Sequence, residues 1–162
     1  MVVSNIACAE GGCADAAIAF GAIVDAKNSG ATYANAKRIL EVNRKTLGSN
    51  YQLVSKWVKL AYEQLSARNT AGEAAQVQWN VCKETDPTEN LRDLCFLVAN
   101  VVGSLADERD RGTSIETIRK MNSNQKLGLN DAVLNRIFEE KSKSSWELEK
   151  SQYFDCVSKM KI

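Results

Sequence analysis

A short pattern of cysteine, alanine, glycine and aspartate occurs twice in this chain, and it strongly limits how the chain can fold. Residues 11–30 read GGCADAAIAFGAIVDAKNSG, and residues 93–112 read DLCFLVANVVGSLADERDRG. Two later blocks match in the same order, KTLGSN with QKLGLN and TAGEAAQVQWNVC with SSWELEKSQYFDC. These matches predict a tandem duplication of one small unit. The alternative interpretation is two unrelated helical hairpins whose cysteines coincide.

Each copy has the pattern of four amphipathic helices. In the first block, Cys13, Phe20 and Val24 recur at spacings that place them on one helix face. The chain has one proline in 162 residues, so helix breakers are rare, and no segment alternates as a half-buried strand does. We therefore predict an all-α fold of about eight helices, divided into an N-terminal segment over 1–12, a first helical repeat over 13–84, a linker over 85–92 and a second repeat over 93–162.

Local signals mark several helix ends. Gly30 and Gly112 follow the first helix of each copy, and glycine is the residue that most easily adopts the left-handed conformation after a helix. After the linker proline, Thr88 is the predicted start of the next helix. A threonine or serine with glutamate three residues later forms a capping box. This pattern predicts helix starts at Thr70 with Glu73, Thr113 with Glu116 and Ser144 with Glu147.

Four of the five cysteines lie near the two ends of the two copies. Their positions predict the disulfides Cys13–Cys82 and Cys95–Cys156, each contributing on the order of 4 kcal/mol through the unfolded state. Disulfides of this kind indicate an oxidising compartment, the periplasm or the outside of the cell. The alternative is buried free thiols. Cys8 has no counterpart, and it is a free thiol, a link between two chains or part of a disordered start.

The composition excludes several kinds of chemistry. The chain has no histidine, so it has neither a Ser-His-Asp or Cys-His nucleophile nor a histidine-ligated zinc site. No phosphate-binding loop or C-x-x-C motif is present. A net charge of +1 gives no general attraction to nucleic acid, and no apolar run approaches the roughly 20 residues of a membrane span. We predict no enzyme activity, no metal and no cofactor; a carboxylate-based hydrolase is the least favoured hypothesis.

The charged segment LADERDRG, residues 105–112, has a simple interpretation. Asp107 and Arg111 are four residues apart, which is the spacing of an ion pair on one helix face. We predict a solvated, self-paired helix end here.

Positions at which the two copies differ are candidates for partner contacts. The first copy has extra residues between Val58 and Thr70, and Trp146 matches a glycine in the first copy. Aromatic and arginine side chains are enriched at interfaces. The candidate contacts are therefore Tyr62, Glu63, Arg68 and Trp146. Packing against the neighbouring copy is the alternative role of Trp146.

The pattern C-x3-A-x3-G, followed by aspartate, RDRG and a final cysteine, resembles small exported helical proteins of Gram-negative bacteria. The format is similar to periplasmic immunity proteins that neutralise type VI secretion amidase toxins. This resemblance implies an inhibitor that binds a toxin or hydrolase in the periplasm, or after secretion, once a signal peptide is removed. The tandem copy departs from that family, so no binding residue is carried over. A helical carrier of a small apolar ligand or lipid, with a cavity between the two copies, is the alternative function.

Overall fold

The computed structural model describes residues 12–66, 68–88 and 90–160, and every regular element in these ranges is helical. The all-α prediction is confirmed. The chain divides between Asn90 and Leu91 into two compact units, which we call the N-terminal and C-terminal units. The predicted segment 1–12, with Cys8, lies outside the described residues apart from Gly12.

The N-terminal unit is built around the packing of its first helix on its last. Its helices are α1 (Gly12–Asn28), α2 (Tyr33–Val42), α3 (Arg44–Leu47), α4 (Tyr51–Glu63) and α5 (Ala71–Thr85), with a short 3-10 turn at Gly48–Asn50. Phe20 and Val24 of α1 are buried against Trp57 and Ala61 of α4, in a core that also contains Ala16 and Ala74. A disulfide joins Cys13 to Cys82, with Cα atoms 5.4 Å apart, and thereby connects the start of α1 to the end of α5.

The C-terminal unit has a similar order of elements. Its helices are α6 (Leu91–Asp110), α7 (Ile115–Asn124), α8 (Asp131–Glu139) and α9 (Ser145–Lys159). Its buried core is made of Val102, Leu105, Ala106, Ile118, Leu134, Ile137 and Leu148. The disulfide Cys95–Cys156, with Cα atoms 5.6 Å apart, connects α6 to α9. Both predicted disulfides are present.

The predicted glycine stops are also present. Gly30 and Gly112 each have φ of +94°, and their N–H groups donate to the carbonyl oxygens of Lys27 and Arg109 at 3.0 and 2.9 Å. These are the hydrogen bonds of a helix that ends in a left-handed residue. The capping boxes at Thr70 with Glu73 and Ser144 with Glu147 are complete, with both reciprocal hydrogen bonds formed.

Two predicted helix starts were wrong, because the threonine concerned is bound to the preceding helix. The N–H of Thr113 donates to the carbonyl of Glu108 and completes the end of α6, so Ser114 is the N-cap of α7 instead. Thr88 is also bound to residues before it: its N–H donates to Asp86 Oδ1, and its carbonyl accepts a hydrogen bond from Lys83 of α5. As a result α6 begins only at Leu91.

In both units, a basic side chain near the end of the first helix donates to carbonyl groups at or beyond the end of the next-to-last helix, α4 or α8. Lys27 Nζ donates to the carbonyl of Leu65, just beyond α4. Arg109 donates from its guanidinium to three carbonyls at the end of α8, those of Ile137 (2.6 Å), Glu140 (3.4 Å) and Lys143 (3.0 Å). These parallels support a common origin of the two units, which stays a prediction.

The same arginine corrects the interpretation of LADERDRG. Arg109 is buried, so this helix end is not wholly solvated. The pairing differs as well: Arg111 binds Glu108, three residues before it, and Arg109 binds Asp110. The carbonyl groups at the end of α8 and in the turn after it stabilise the buried Arg109, because a cation near a helix C-terminus is favoured by the helix dipole.

Candidate ligand-binding site

A cavity of about 350 Å³ lies within the N-terminal unit, between α1, α2 and α4. Its volume falls at the lower end of the range of small-molecule sites. The lining side chains are almost all apolar. They are Ala22, Ile23, Ala26, Ala31, Ala36, Ile39, Leu40, Asn43, Leu47, Val54, Val58 and Tyr62. We call this cavity the apolar pocket.

Small side chains on α1 create the space. Ala22 and Ala26 are four residues apart and therefore lie on the same face of α1. Their small side chains leave space beside this face. On α2, Leu40 is buried whereas Ile39 remains 58% exposed although it lines the pocket. Ile39 therefore lies on the open side of the pocket.

The polar groups of the pocket are already engaged within the chain. Tyr62 donates its hydroxyl hydrogen to the carbonyl of Ala31 at 2.8 Å, and Asn43 donates from its side-chain amide to the carbonyl of Ile39 at 2.8 Å. Burial raises the pKa of Tyr62, so its phenol is neutral at physiological pH. The pocket is therefore suited to hydrocarbon rather than to a charged group.

A cavity in the C-terminal unit has a different lining. A cavity of about 400 Å³ beside α6 and α7 is lined partly by Ser104, Asp107, Glu108 and Arg111. In the matched blocks, Ser104 and Glu108 correspond to the alanines of α1 that line the apolar pocket. This cavity therefore lacks the uncharged lining of the apolar pocket.

The four predicted partner contacts lie in different surroundings. Tyr62 lines the apolar pocket. Glu63 is exposed and pairs with Lys59 at 3.9 Å, and Arg68 is exposed on the loop before α5. Trp146 is only 4% exposed, so its indole presents almost no surface to a partner. Of these residues, the structure places only Tyr62 in a concave site.

The sequence predictions did not identify the apolar pocket. The signal that was available is the pair of alanines at 22 and 26, outside the stripe formed by Phe20 and Val24. An apolar position outside the core stripe of a helix indicates a second apolar face. Whether that face meets a neighbouring helix or a cavity depends on tertiary packing, which periodicity does not reveal.

A buried carboxyl group in the C-terminal unit is a second unusual feature. Glu149 of α9 is 3% exposed, and its Oε1 has no hydrogen-bond partner among the described residues. The pKa of Glu149 is raised to about 7, mainly by burial; a hydrogen bond with Asn100 lowers it, and the Asp107 carboxylate adds a smaller increase. Asp107 lines the cavity beside α7, but Glu149 does not. The two carboxyl groups therefore do not form an accessible catalytic pair there.

Within the described ranges, no group of three or more cysteine, aspartate or glutamate side chains is arranged to hold a metal ion. Among the same residues, no helix has the length and apolar character needed to cross a bilayer. In comparisons with family models, curated proteins and solved structures, no match to this chain was found.

Proposed function

We propose that this chain is an exported, non-enzymatic binding protein that carries a small apolar ligand in the apolar pocket of its N-terminal unit. The observation that carries this proposal is the lining: twelve residues surround about 350 Å³, and none of them is charged. Transfer of a hydrocarbon chain from water into a cavity of this composition is favourable. Export is inferred from the two disulfides, which persist in oxidising compartments.

Two alanines on α1 provide a matched test. Ala19 and Ala22 are both exposed on α1, but only Ala22 lines the pocket. Equilibrium dialysis with 1-decanol, a neutral linear probe, should show saturable binding with one site per chain. Ala22→Phe should weaken this binding at least tenfold because the ring occupies the pocket, and Ala19→Phe should leave it unchanged.

Two outcomes would remove the proposal. One is an absence of saturable decanol binding to the native chain. The other is equal loss of binding in both phenylalanine variants, which would indicate adsorption elsewhere or a general loss of structure. Circular dichroism of both variants gives the required check that the helices are retained.

A second candidate function is inhibition of a protein partner, in line with the resemblance to immunity proteins. The observation that favours it is a row of exposed apolar side chains on the first half of α6. Leu94 is 58% exposed, and Leu91, Leu97 and Val98 continue the row. Exposed apolar rows on helices are typical of protein interfaces.

A photo-crosslinking residue tests this candidate in the native cell envelope. Placed at Leu94, it should capture one defined protein; placed at Ser104, exposed on the same helix, it should not. The captured protein, once purified, should lose its activity when the chain is added. A lack of any specific adduct at Leu94, or a captured protein whose activity is unchanged, would remove the candidate.

A further inference from the structure

The segment that forms one side of the apolar pocket is positively charged, although the whole chain carries only +1. Residues 33–50, which form α2, α3 and the turn that follows, contain four cationic side chains and one carboxylate. The cations are Lys37, Arg38, Arg44 and Lys45, and the carboxylate is Glu41. A local excess of three positive charges beside an apolar cavity indicates a ligand with a negative group outside the cavity.

The antiparallel course of α2 and α4 defines the two ends of the pocket. At one end, the rings of Tyr33 and Tyr62 are 5.5 Å apart. At the other end, the guanidinium of Arg44 lies 4.8 Å from the ring centroid of Tyr51. We call these the tyrosine end and the arginine end.

The arginine end is the one suited to an anionic head group. Asn43 and Leu47 both line the pocket, and Arg44 and Lys45 lie between them in the chain. Both cations are exposed. Glu41 lies 3.8 Å from Arg44 and also accepts a hydrogen bond from Tyr51, so the one carboxylate of this segment pairs with Arg44 and Lys45 adds a second positive charge.

The tyrosine end has fewer groups that could bind an anion. The hydroxyl of Tyr62 is used in the hydrogen bond to Ala31, and the ammonium of Lys37 lies over the ring of Tyr33 at 5.5 Å. Lys27, the nearest cation on α1, is bound to the carbonyl of Leu65. The tyrosine end therefore has one exposed cation beside its rings, Lys37, whereas the arginine end has two, Arg44 and Lys45.

The volume limits the length of the apolar part. A cavity of about 350 Å³ lies at the small end of the range of ligand sites. It suits a single short linear chain, of about ten carbons, better than two acyl chains.

We propose that the ligand is a single-chain anionic amphiphile, a fatty carboxylate of about ten carbons, with its chain between α1, α2 and α4 and its carboxylate at Arg44 and Lys45. This inference rests on the proposed carrier function and specifies its ligand. Arginine suits the role because its planar fork can bind both oxygens of a carboxylate.

Decanoate and 1-decanol form a matched pair of probes, because they share a ten-carbon chain and differ at the head. Calorimetric titration at pH 7.5 and low salt should show decanoate binding about tenfold more tightly than decanol. In the variant Arg44→Gln/Lys45→Gln, this preference should disappear while decanol binding is retained. The control Lys120→Gln/Lys159→Gln changes two exposed lysines in the C-terminal unit and lowers the net charge equally, and it should keep the preference.

Each outcome separates the inference from the proposal on which it rests. Equal binding of decanol and decanoate to the native chain would overturn the anionic head group and leave the apolar carrier intact. Loss of the preference in both double variants would also overturn it, since the effect would then be one of net charge. Failure of both probes to bind would overturn the carrier function and this inference together.

Discussion

At the scale of single residues, the carboxyl group of Glu149 affects how stability depends on pH. Its pKa is about 7 in the folded chain against 4.5 for an ordinary glutamate. Between these values the folded state binds more protons than the unfolded state, so stability falls as pH rises from about 4.5 to 7. Above pH 7 the ionised group costs about 3 kcal/mol, since one pKa unit corresponds to about 1.4 kcal/mol.

The substitution Glu149→Gln should remove this pH dependence. We expect the variant to be more stable than the native chain at pH 8, by up to about 3 kcal/mol, and nearly equal to it at pH 4.5. Urea denaturation at both pH values measures the difference. Glu139→Gln, at an exposed position on α8, should change stability little at either pH. A stability gain that is the same at both pH values would contradict the assignment.

Gly103 shows how closely α6 and α9 approach each other. A methyl group added at this residue would lie 2.6 Å from Glu149 Oε2 and 3.1 Å from Glu149 Cβ. Alanine normally stabilises a helix interior by about 1 kcal/mol relative to glycine, but overpacking costs about 1 to 3 kcal/mol. We therefore expect Gly103→Ala to destabilise the chain in urea denaturation, with Ser104→Ala as the neutral control. A stabilised Gly103→Ala variant would contradict this expectation, because it would show that the Glu149 side chain moves away from α6 at little cost.

At the scale of secondary-structure elements, Arg109 connects α6 to the end of α8. Arg109→Ala leaves three carbonyl groups without their charged donor, and we expect a loss of about 3 kcal/mol in urea denaturation. Arg109→Lys keeps the positive charge but lacks the planar guanidinium that donates to several carbonyls at once, so its loss of stability should be intermediate. Arg111→Ala removes only an exposed pair with Glu108 and should cost less than about 1 kcal/mol. Equal effects of the two alanine variants would contradict this role.

The helix ends show which features of the fold are accessible from sequence. The caps at Thr70 and Ser144 were predicted correctly, because a capping box is formed by residues only three positions apart. Thr113 has the same pattern but is bound to Glu108 in the preceding helix, and local spacing does not reveal that competition. The burial of Arg109 was missed for a related reason, since its partners lie in a distant helix.

At the scale of the whole molecule, each unit depends on a disulfide between its first and last helices. Replacing Cys13 and Cys82 by alanine should destabilise the N-terminal unit by about 4 kcal/mol in the chain-entropy model, because the bridge closes a loop of 69 residues. Trp57 and Trp79 report on this unit by fluorescence, and Trp146 reports on the other. Urea should therefore unfold the N-terminal unit earlier while the Trp146 transition keeps its midpoint. An unchanged N-terminal transition would contradict the prediction.

The cysteine pairs could be predicted because cysteines are few and their positions match between the copies. The apolar pocket could not, because it depends on how far α2 stands from α1. Ala22 and Ala26 would equally well have packed against a neighbouring helix. Trp146 illustrates the same limit: its lack of a counterpart suggested a surface role, yet it is buried.

The two disulfides also determine how the chain carries a mechanical load. Each joins residues near the two ends of one unit, with 69 and 61 positions between them. Tension applied through the flanking chain passes across the sulfur–sulfur bonds, so the helices between the cysteines bear almost none of it. In an oxidising environment the stretchable chain is then mainly the short segment from Cys82 to Cys95. Reduction would release roughly 200 Å of additional contour per unit, a change that single-molecule pulling would resolve.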